Sequence, residues 1–144
     1  MEDGFGEVEY PNGEHYEGEF KDDQWHGYGI LTFPSGGRFE GEWKKGKLNG
    51  RGIMEWSDGR RYVGEFEDDY YHGHGLLIQS NGESYEGGFR LNLRHGYGIR
   101  TWPDGKRYEG EYKEHREHGQ GTFTFPDGRV WEGEYDRGEF LGKT

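Results

Sequence analysis

The residues in this sequence best equipped for chemistry are paired carboxylates: Glu17/Glu19, Glu40/Glu42, Glu109/Glu111 and Glu132/Glu134. Two carboxylates flanking a glycosidic bond can hydrolyse it. These pairs recur at a fixed interval, however, whereas a catalytic residue is usually unique in a chain. A solvated acidic stripe is the plainer reading, with Lys21, Lys44, Arg38, Arg61 and Arg107 as same-face partners. His26, His72, His95 and His118 each precede a glycine, and histidine can ligate metal or move protons. In a sheet, successive copies would stand about 9–10 Å apart. Zinc–nitrogen bonds are about 2.0–2.1 Å, so one ion cannot join two copies. His72 and His74 are closer but have no evident third ligand. Gly27-Tyr28-Gly29 and its counterparts lack the third glycine and the helix of a dinucleotide site. The chain is therefore expected to be no enzyme, with no catalytic, metal-binding or cofactor-binding residue.

The elements that position these groups are set by repetition. Gly18, Gly41, Gly64, Gly87, Gly110 and Gly133 are spaced by 23 residues without an insertion. Gly4 to Gly142, Gly6 to Gly121 and Gly13 to Gly128 form three more series with the same step. Aromatic series run alongside: Tyr16, Phe39, Tyr62, Tyr85, Tyr108, Trp131, and Phe20, Trp43, Phe66, Phe89, Tyr112, Tyr135. A third precedes the turns as Tyr10, Phe33, Trp56, Trp102 and Phe125, with Gln79 the exception. A period of this length marks a solenoid or array.

Within each copy, alternation of period two marks strands. Tyr16, Gly18 and Phe20 point one way, and Glu17, Glu19 and Lys21 the other. Pro34-Ser35-Gly36, Pro103-Asp104-Gly105 and their counterparts suit a tight turn. Proline has no N–H for a ladder. A three-residue loop, a type I turn closed by a left-handed glycine, is therefore preferred. That loop makes Leu31 oppose Phe39 and Gly29 oppose Gly41, with neighbouring rings lying across the facing glycines. The expected fold is all-β. It is a solenoid of six antiparallel hairpins, about residues 4–20, 27–43, 50–66, 73–89, 96–112 and 119–135, in a single array over residues 1–144. Polar links of about six residues, such as Lys21 to His26, would join them. Twelve strands predict an elongated, twisted, curved, single-layer sheet roughly 55–60 Å long, stabilised by neighbour packing.

Composition narrows the function. Only 28% of the 144 residues are hydrophobic and 33% are charged, yet 17% are aromatic, and few rings bury much area. A net charge of −11 argues against nucleic acid, and more weakly against anionic lipid. The chain has no cysteine, which excludes disulfides and thiolate chemistry and fits a reducing compartment. Neither a membrane-spanning run nor a secretory signal is expected.

One copy, Tyr16-Glu17-Gly18-Glu19-Phe20-Lys21 through His26-Gly27-Tyr28-Gly29 to Phe33-Pro34-Ser35-Gly36, resembles the MORN motif (membrane occupation and recognition nexus), and the likeness extends from Gly4 to Gly142. The resemblance implies a scaffold or adaptor that associates with proteins in the cytoplasm, in cytoskeletal or ciliary assemblies. It also implies two alternatives, a membrane-proximal adaptor binding phospholipid and an accessory repeat region of a larger enzyme.

A single-layer sheet has no second layer for its apolar face, and an exposed apolar patch usually marks a binding site. The expected partner-binding groove comprises Tyr16, Phe33, Phe39, Trp43, Trp56, Tyr62, Phe66, Tyr85, Phe89, Trp102, Tyr108, Tyr112, Phe125 and Trp131. A helix or extended peptide would lie there, its basic residues favoured by the glutamate stripe. The fourth copy departs most, with Gly88 in place of a stripe glutamate and Leu91 and Leu93 in a polar link; these leucines are a candidate secondary contact. Homodimerisation through an end hairpin is a further alternative.

Overall fold

The computed structural model of the chain describes residues 3–143. Among them there is no helix, and thirteen strands make up the regular structure. The chain divides into two compact units, residues up to 70 and from 71 onward. In the first, β1 (Gly4–Glu9), β2 (His15–Lys21), β3 (Gln24–Thr32), β4 (Arg38–Lys44), β5 (Lys47–Glu55) and β6 (Arg61–Glu67) pair antiparallel in chain order. In the second, β7 (Tyr70–Ile78, which belongs to this unit from Tyr71 on), β8 (Ser84–Arg90), β9 (Leu93–Thr101), β10 (Arg107–Lys113), β11 (Arg116–Thr124), β12 (Val130–Asp136) and β13 (Glu139–Gly142) do the same.

The turns after the third aromatic series have the expected geometry. Gly36 N donates to Phe33 O and Phe33 N to Gly37 O, both at 2.9 Å, with Gly36 at φ 101°. Glycine takes this left-handed position without a Cβ penalty. Leu31 accordingly faces Phe39, and Gly29 faces Gly41.

The links differ from expectation. Each is a two-residue hairpin turn rather than a six-residue connection. Asp22 and Asp23 both adopt positive φ, 52° and 63°, which two-residue type I′ turns require. Aspartate tolerates that region because its short polar side chain bonds locally. Strand pairing therefore continues through Phe20–Trp25 and Lys21–Gln24, and β13 adds a strand beyond the twelve expected.

Continuing the ladder needs a bulge. Between the pairs Gly18–Gly29 and Phe20–Trp25, β3 carries two residues more than β2. Gly27 turns at φ 79°, and the freed N–H of Tyr28 is taken by the Glu19 carboxylate at 2.7 Å. Glu42 does the same for Arg51 N at 2.6 Å, and Glu111 for Gln120 N at 2.7 Å. The second glutamate of these pairs is thus a backbone partner that closes a bulge, not a freely solvated group. The first keeps the surface role: Glu40 and Glu109 pair with Arg38 and Arg107.

The glycines align into one row per unit. Gly6, Gly18, Gly29, Gly41, Gly52 and Gly64 face one another in succession. Gly75, Gly87, Gly98, Gly110, Gly121 and Gly133 do so in the second unit. Tyrosines lie across the row. Tyr16 covers Gly29, Tyr85 covers Gly98 and Tyr108 covers Gly121. Each hydroxyl then reaches a backbone carbonyl three residues on: Tyr16 to Glu19 O at 2.9 Å, Tyr62 to Glu65 O at 2.8 Å, Tyr85 to Gly88 O at 2.8 Å, and Tyr108 to Glu111 O at 2.9 Å. Each tyrosine also meets the ring four residues later edge-on, with centroids at 4.9–5.2 Å for 16/20, 62/66, 85/89 and 108/112. Tyr16–Trp43, Tyr85–Tyr112 and Tyr108–Tyr135 carry the contact into the next copy. Such T-shaped pairs add about 0.5–1.5 kcal/mol each beyond their area burial.

Candidate protein-binding face

Where the first aromatic series is tyrosine, the ring is sealed: Tyr16, Tyr62 and Tyr108 are 0% exposed and Tyr85 2%. Where it is not, the ring leaves the glycine row. Phe39 has no hydroxyl to anchor on a carbonyl. It packs half-buried against Phe33 at 4.8 Å and Trp56 at 6.0 Å. Trp131 is 45% exposed and stacks on Phe140 with an interplanar angle of 14°. Phe125 and Phe123 border it, and Trp102 lies 5.4 Å from Phe123. The aromatic face thus carries an open strip in each unit: Phe33, Phe39 and Trp56 in the first, and Trp102, Phe123, Phe125, Trp131 and Phe140 in the second.

Of the fourteen groove residues expected, the structure leaves Phe33, Phe39, Trp56, Trp102, Phe125 and Trp131 at this open side. It buries Tyr16, Trp43, Tyr62, Phe66, Tyr85, Phe89, Tyr108 and Tyr112 to 4% exposure or less. These eight rings are core, because glycine removes the side chains that would otherwise hold them off the sheet. Phe123 and Phe140 were not expected, and Trp25 and Tyr71 join the same face from strands read as links. The signal for Trp25, Tyr71 and Phe140 was a further period-23 series: Trp25, Leu48, Tyr71, Arg94, Glu117, Phe140.

Cations sit over several open rings. Arg60 lies 4.8 Å from the Trp56 centroid, Arg129 4.8 Å from Phe125, and Arg100 and Lys106 lie 4.5 and 5.7 Å from Trp102. In three copies an Asp-Gly-cation turn holds the cation there: Asp58 pairs with Arg60, Asp104 with Lys106 and Asp127 with Arg129. The backbone N–H donated by residue i+2 holds each of these aspartates below the usual carboxylate range. The glutamate stripe occupies the opposite face, as the alternating burial of β2 and β10 requires. It therefore cannot contact a segment lying on the aromatic side.

The second unit also buries charge. Arg94 is 9% exposed, stacked near Tyr85 and Tyr112 at 5.7 and 5.3 Å, and donates to His115 O at 2.9 Å. Arg94 Nε, Arg100 Nε, Tyr112 Oη and Glu117 Oε2 are buried without a hydrogen-bond partner. Burial followed by the neighbouring Arg94 and Arg100 charges pushes the His115 imidazole down.

Two further surface features stand apart. On the face opposite the aromatics, Tyr28, Glu40, Arg51, Ile53 and Val63 surround a shallow depression of about 230 Å³. At the surface of the first unit, Glu7, His15 and Glu17 bring potential metal-ligand atoms within 4.8 Å of one another. That grouping was not anticipated, and His15 Nε2 already lies 3.0 Å from Glu7. No helix among the described residues is long and apolar enough to cross a membrane.

A model of the MORN repeat matches five consecutive stretches, residues 16–38, 39–60, 62–84, 85–107 and 108–128. The chain belongs to the MORN-repeat family. This MORN chain is similar in fold to the TCP10 domain of Danio rerio CPAP, at 19% identity and a TM-score of 0.53, over 97% of this chain and 64% of that one. It therefore spans less than two thirds of that domain's length. A weaker likeness, with 12% identity and a TM-score of 0.39 over 92% of this chain and 85% of the other, is to the SAS-4 (dCPAP) TCP domain of Drosophila melanogaster, solved with a proline-rich motif of Ana2. No curated protein matches the MORN chain.

Proposed function

We propose that this MORN-repeat chain is a non-catalytic interaction scaffold that receives a helix or extended segment of another protein on the open side of its aromatic face. The observation that carries this reading is selective exposure. Within one face, the tyrosines that anchor to carbonyls are sealed, whereas Phe33, Phe39, Trp56, Trp102, Phe125 and Trp131 stay partly uncovered. Large aromatics dominate the energetics of protein interfaces. Membership of a repeat family whose units stack into extended surfaces supports the same reading. A non-catalytic role is supported by the carboxylates themselves, since Glu19, Glu42 and Glu111 are engaged in closing bulges.

Leu91 and Leu93 form a secondary contact in this proposal. Leu91 is 59% exposed although its turn position, at φ 49°, suits a small polar residue. It borders a cavity of about 550 Å³ with Arg90, Leu93, His95, Lys113 and Glu114.

The test is selection of binders from a displayed random-peptide library, followed by affinity measurement against a Trp56→Ala/Trp102→Ala variant. Selected peptides are expected to lose at least tenfold in affinity for the variant, provided circular dichroism shows it folded. A folded variant that binds every selected peptide normally would remove these rings from the interface.

A further inference from the structure

The first copy departs from the repeat at two positions on the face opposite the aromatics. His15 stands where Arg38, Arg61 and Arg107 stand in other copies, and Glu7 stands where Ile30, Ile53, Leu76 and Ile99 stand. Neither a guanidinium nor an alkyl chain ligates metal, whereas imidazole and carboxylate both do. Both changes fall beside Glu17, a position that stays Glu in Glu40, Glu86, Glu109 and Glu132. Pairing of β1 with β2 sets Glu7 directly opposite Glu17 and diagonal to His15, whose own partner is Glu9. One oxygen of each glutamate and one ring nitrogen of His15 lie within 4.8 Å of one another, and His15 Nε2 is 3.0 Å from Glu7 Oε1. The spacing argument against the recurring histidines does not apply here, because His15 takes both carboxylates from within one hairpin.

Like charges directly opposite on neighbouring strands are destabilising. Other copies avoid this arrangement. Glu40 lies between Ile30 and Ile53 and pairs with Arg38. Glu109 lies between Ile99 and Thr122 and pairs with Arg107. Glu7 and Glu17 have no such relief. From β3, Ile30 pairs with Glu17 and Thr32 with His15, so no lysine or arginine holds a paired position there. β1 also has little else to hold it: none of its residues is buried, and it pairs only with β2 among the described strands.

We propose that Glu7, His15 and Glu17 bind a zinc ion through one ring nitrogen and one oxygen of each carboxylate, and that the ion clips β1 to β2. Zinc bonds of about 2.0–2.2 Å at tetrahedral angles place two donors about 3.3–3.6 Å apart. Glu7 and Glu17 are exposed, so rotation of their side chains suffices to close the donor set to that spacing. Three protein donors leave the fourth tetrahedral position to water. The imidazole sets the preference, since magnesium and calcium take oxygen donors whereas nitrogen suits zinc. The ion neutralises the opposed carboxylates, and binding to the folded hairpin alone raises its stability.

The test is calorimetric titration of the chelator-treated full chain with zinc chloride, with magnesium and calcium chloride as comparisons. A saturable phase of one zinc per chain is expected, with the His15 ring signals in the NMR spectrum shifting in step and thermal unfolding moving to higher temperature. Magnesium and calcium should bind at least tenfold more weakly. His15→Arg and Glu7→Ile install residues that the other copies carry at these positions, and each should weaken zinc at least tenfold and remove the rise in unfolding temperature. His74→Gln, which removes the histidine beside Glu86, should change neither. The His15 ring shift in the parent chain is read without any variant. No saturable zinc binding, zinc binding that leaves the His15 ring unmoved or survives both substitutions in folded variants, or equal affinity for magnesium would overturn the site.

Discussion

Gly29→Ala should be among the most damaging small substitutions in the chain. An added Cβ would stand 2.6 Å from Tyr16 Cε2, below any normal contact, and Tyr16 is 0% exposed. The ring must move or the strands must part. Forcing one extra methyl into such a core costs about 1–3 kcal/mol. Displacing the Tyr16 hydroxyl from Glu19 O, now 2.9 Å away, costs about 1–3 kcal/mol more. The reduced freedom of the unfolded chain returns roughly 0.4–1 kcal/mol. The expected loss is therefore about 1–5.6 kcal/mol against a total stability of about 5–15 kcal/mol. Gly37→Ala is the matched control. Its nearest atoms would be Glu55 O at 3.4 Å and Phe33 Cδ2 at 3.5 Å, ordinary contacts, so it should be neutral or stabilising. Urea unfolding followed by circular dichroism measures both. Adding Tyr16→Phe to Gly29→Ala should recover part of the loss, because a phenylalanine can swing out as Phe39 does, and the two changes would then be non-additive. Gly29→Ala within 0.5 kcal/mol of the parent on the same scale, or Gly37→Ala equally harmful, would refute the ring-over-glycine packing.

Other consequences are as direct. Glu42→Ala removes the acceptor of Arg51 N and should cost about 1 kcal/mol, with faster hydrogen exchange at the Arg51 amide by NMR; an unchanged exchange rate would deny the carboxylate its role in the bulge. Burial pushes the Tyr16, Tyr85 and Tyr135 hydroxyls up to about 12 and those of Tyr108 and Tyr112 higher still. Their folded values exceed the unfolded value near 10, so their contribution is complete below about pH 10 and is lost as pH rises towards 12 and beyond. Tyrosinate absorbance at high pH should then rise together with loss of the circular dichroism signal; independent, gradual ionisation in a still-folded chain would contradict the burial. Arg94→Leu/Glu117→Phe restores residues found at the same position in Leu48 and Phe140 and should stabilise the chain by about 1–4 kcal/mol in thermal melts, a gain that would not appear if the buried charges were well satisfied.

Most of the fold was legible because the period-23 glycines and rings state which residues share a face, and Pro-Ser-Gly states the turn and hence the register of Leu31 with Phe39. The links were misread because Asp22-Asp23 and Lys45-Gly46 look like solvated loop residues, whereas their tolerance of positive φ makes them type I′ turns. That error hid Trp25, Tyr71 and Phe140 from the aromatic face. The site was legible only in part. Alternation tells which way a ring points but not whether it lies flat across a glycine row, and that depends on a hydroxyl finding a carbonyl. The tyrosines at 16, 62, 85 and 108 are therefore core, while Phe39 and Trp131, read as equivalent members of their series, are the ones left open. Glu19 and Glu42 were likewise indistinguishable in sequence from Glu17 and Glu40, because a bulge is a relation between two strands.

The five tryptophans allow the central claim to be read in one spectrum. In a sample labelled at the indole nitrogens, Trp43, 4% exposed with its Nε1–H on Gly29 O at 2.9 Å, reports the core, while Trp56, Trp102 and Trp131 report the open strips. On titration with a library-selected peptide, the account predicts that the indole signals of Trp56, Trp102 or Trp131 shift saturably while that of Trp43 holds still. A peptide that binds yet moves none of these three, and instead shifts the methyl groups of Ile53 and Val63 on the opposite face, would contradict it.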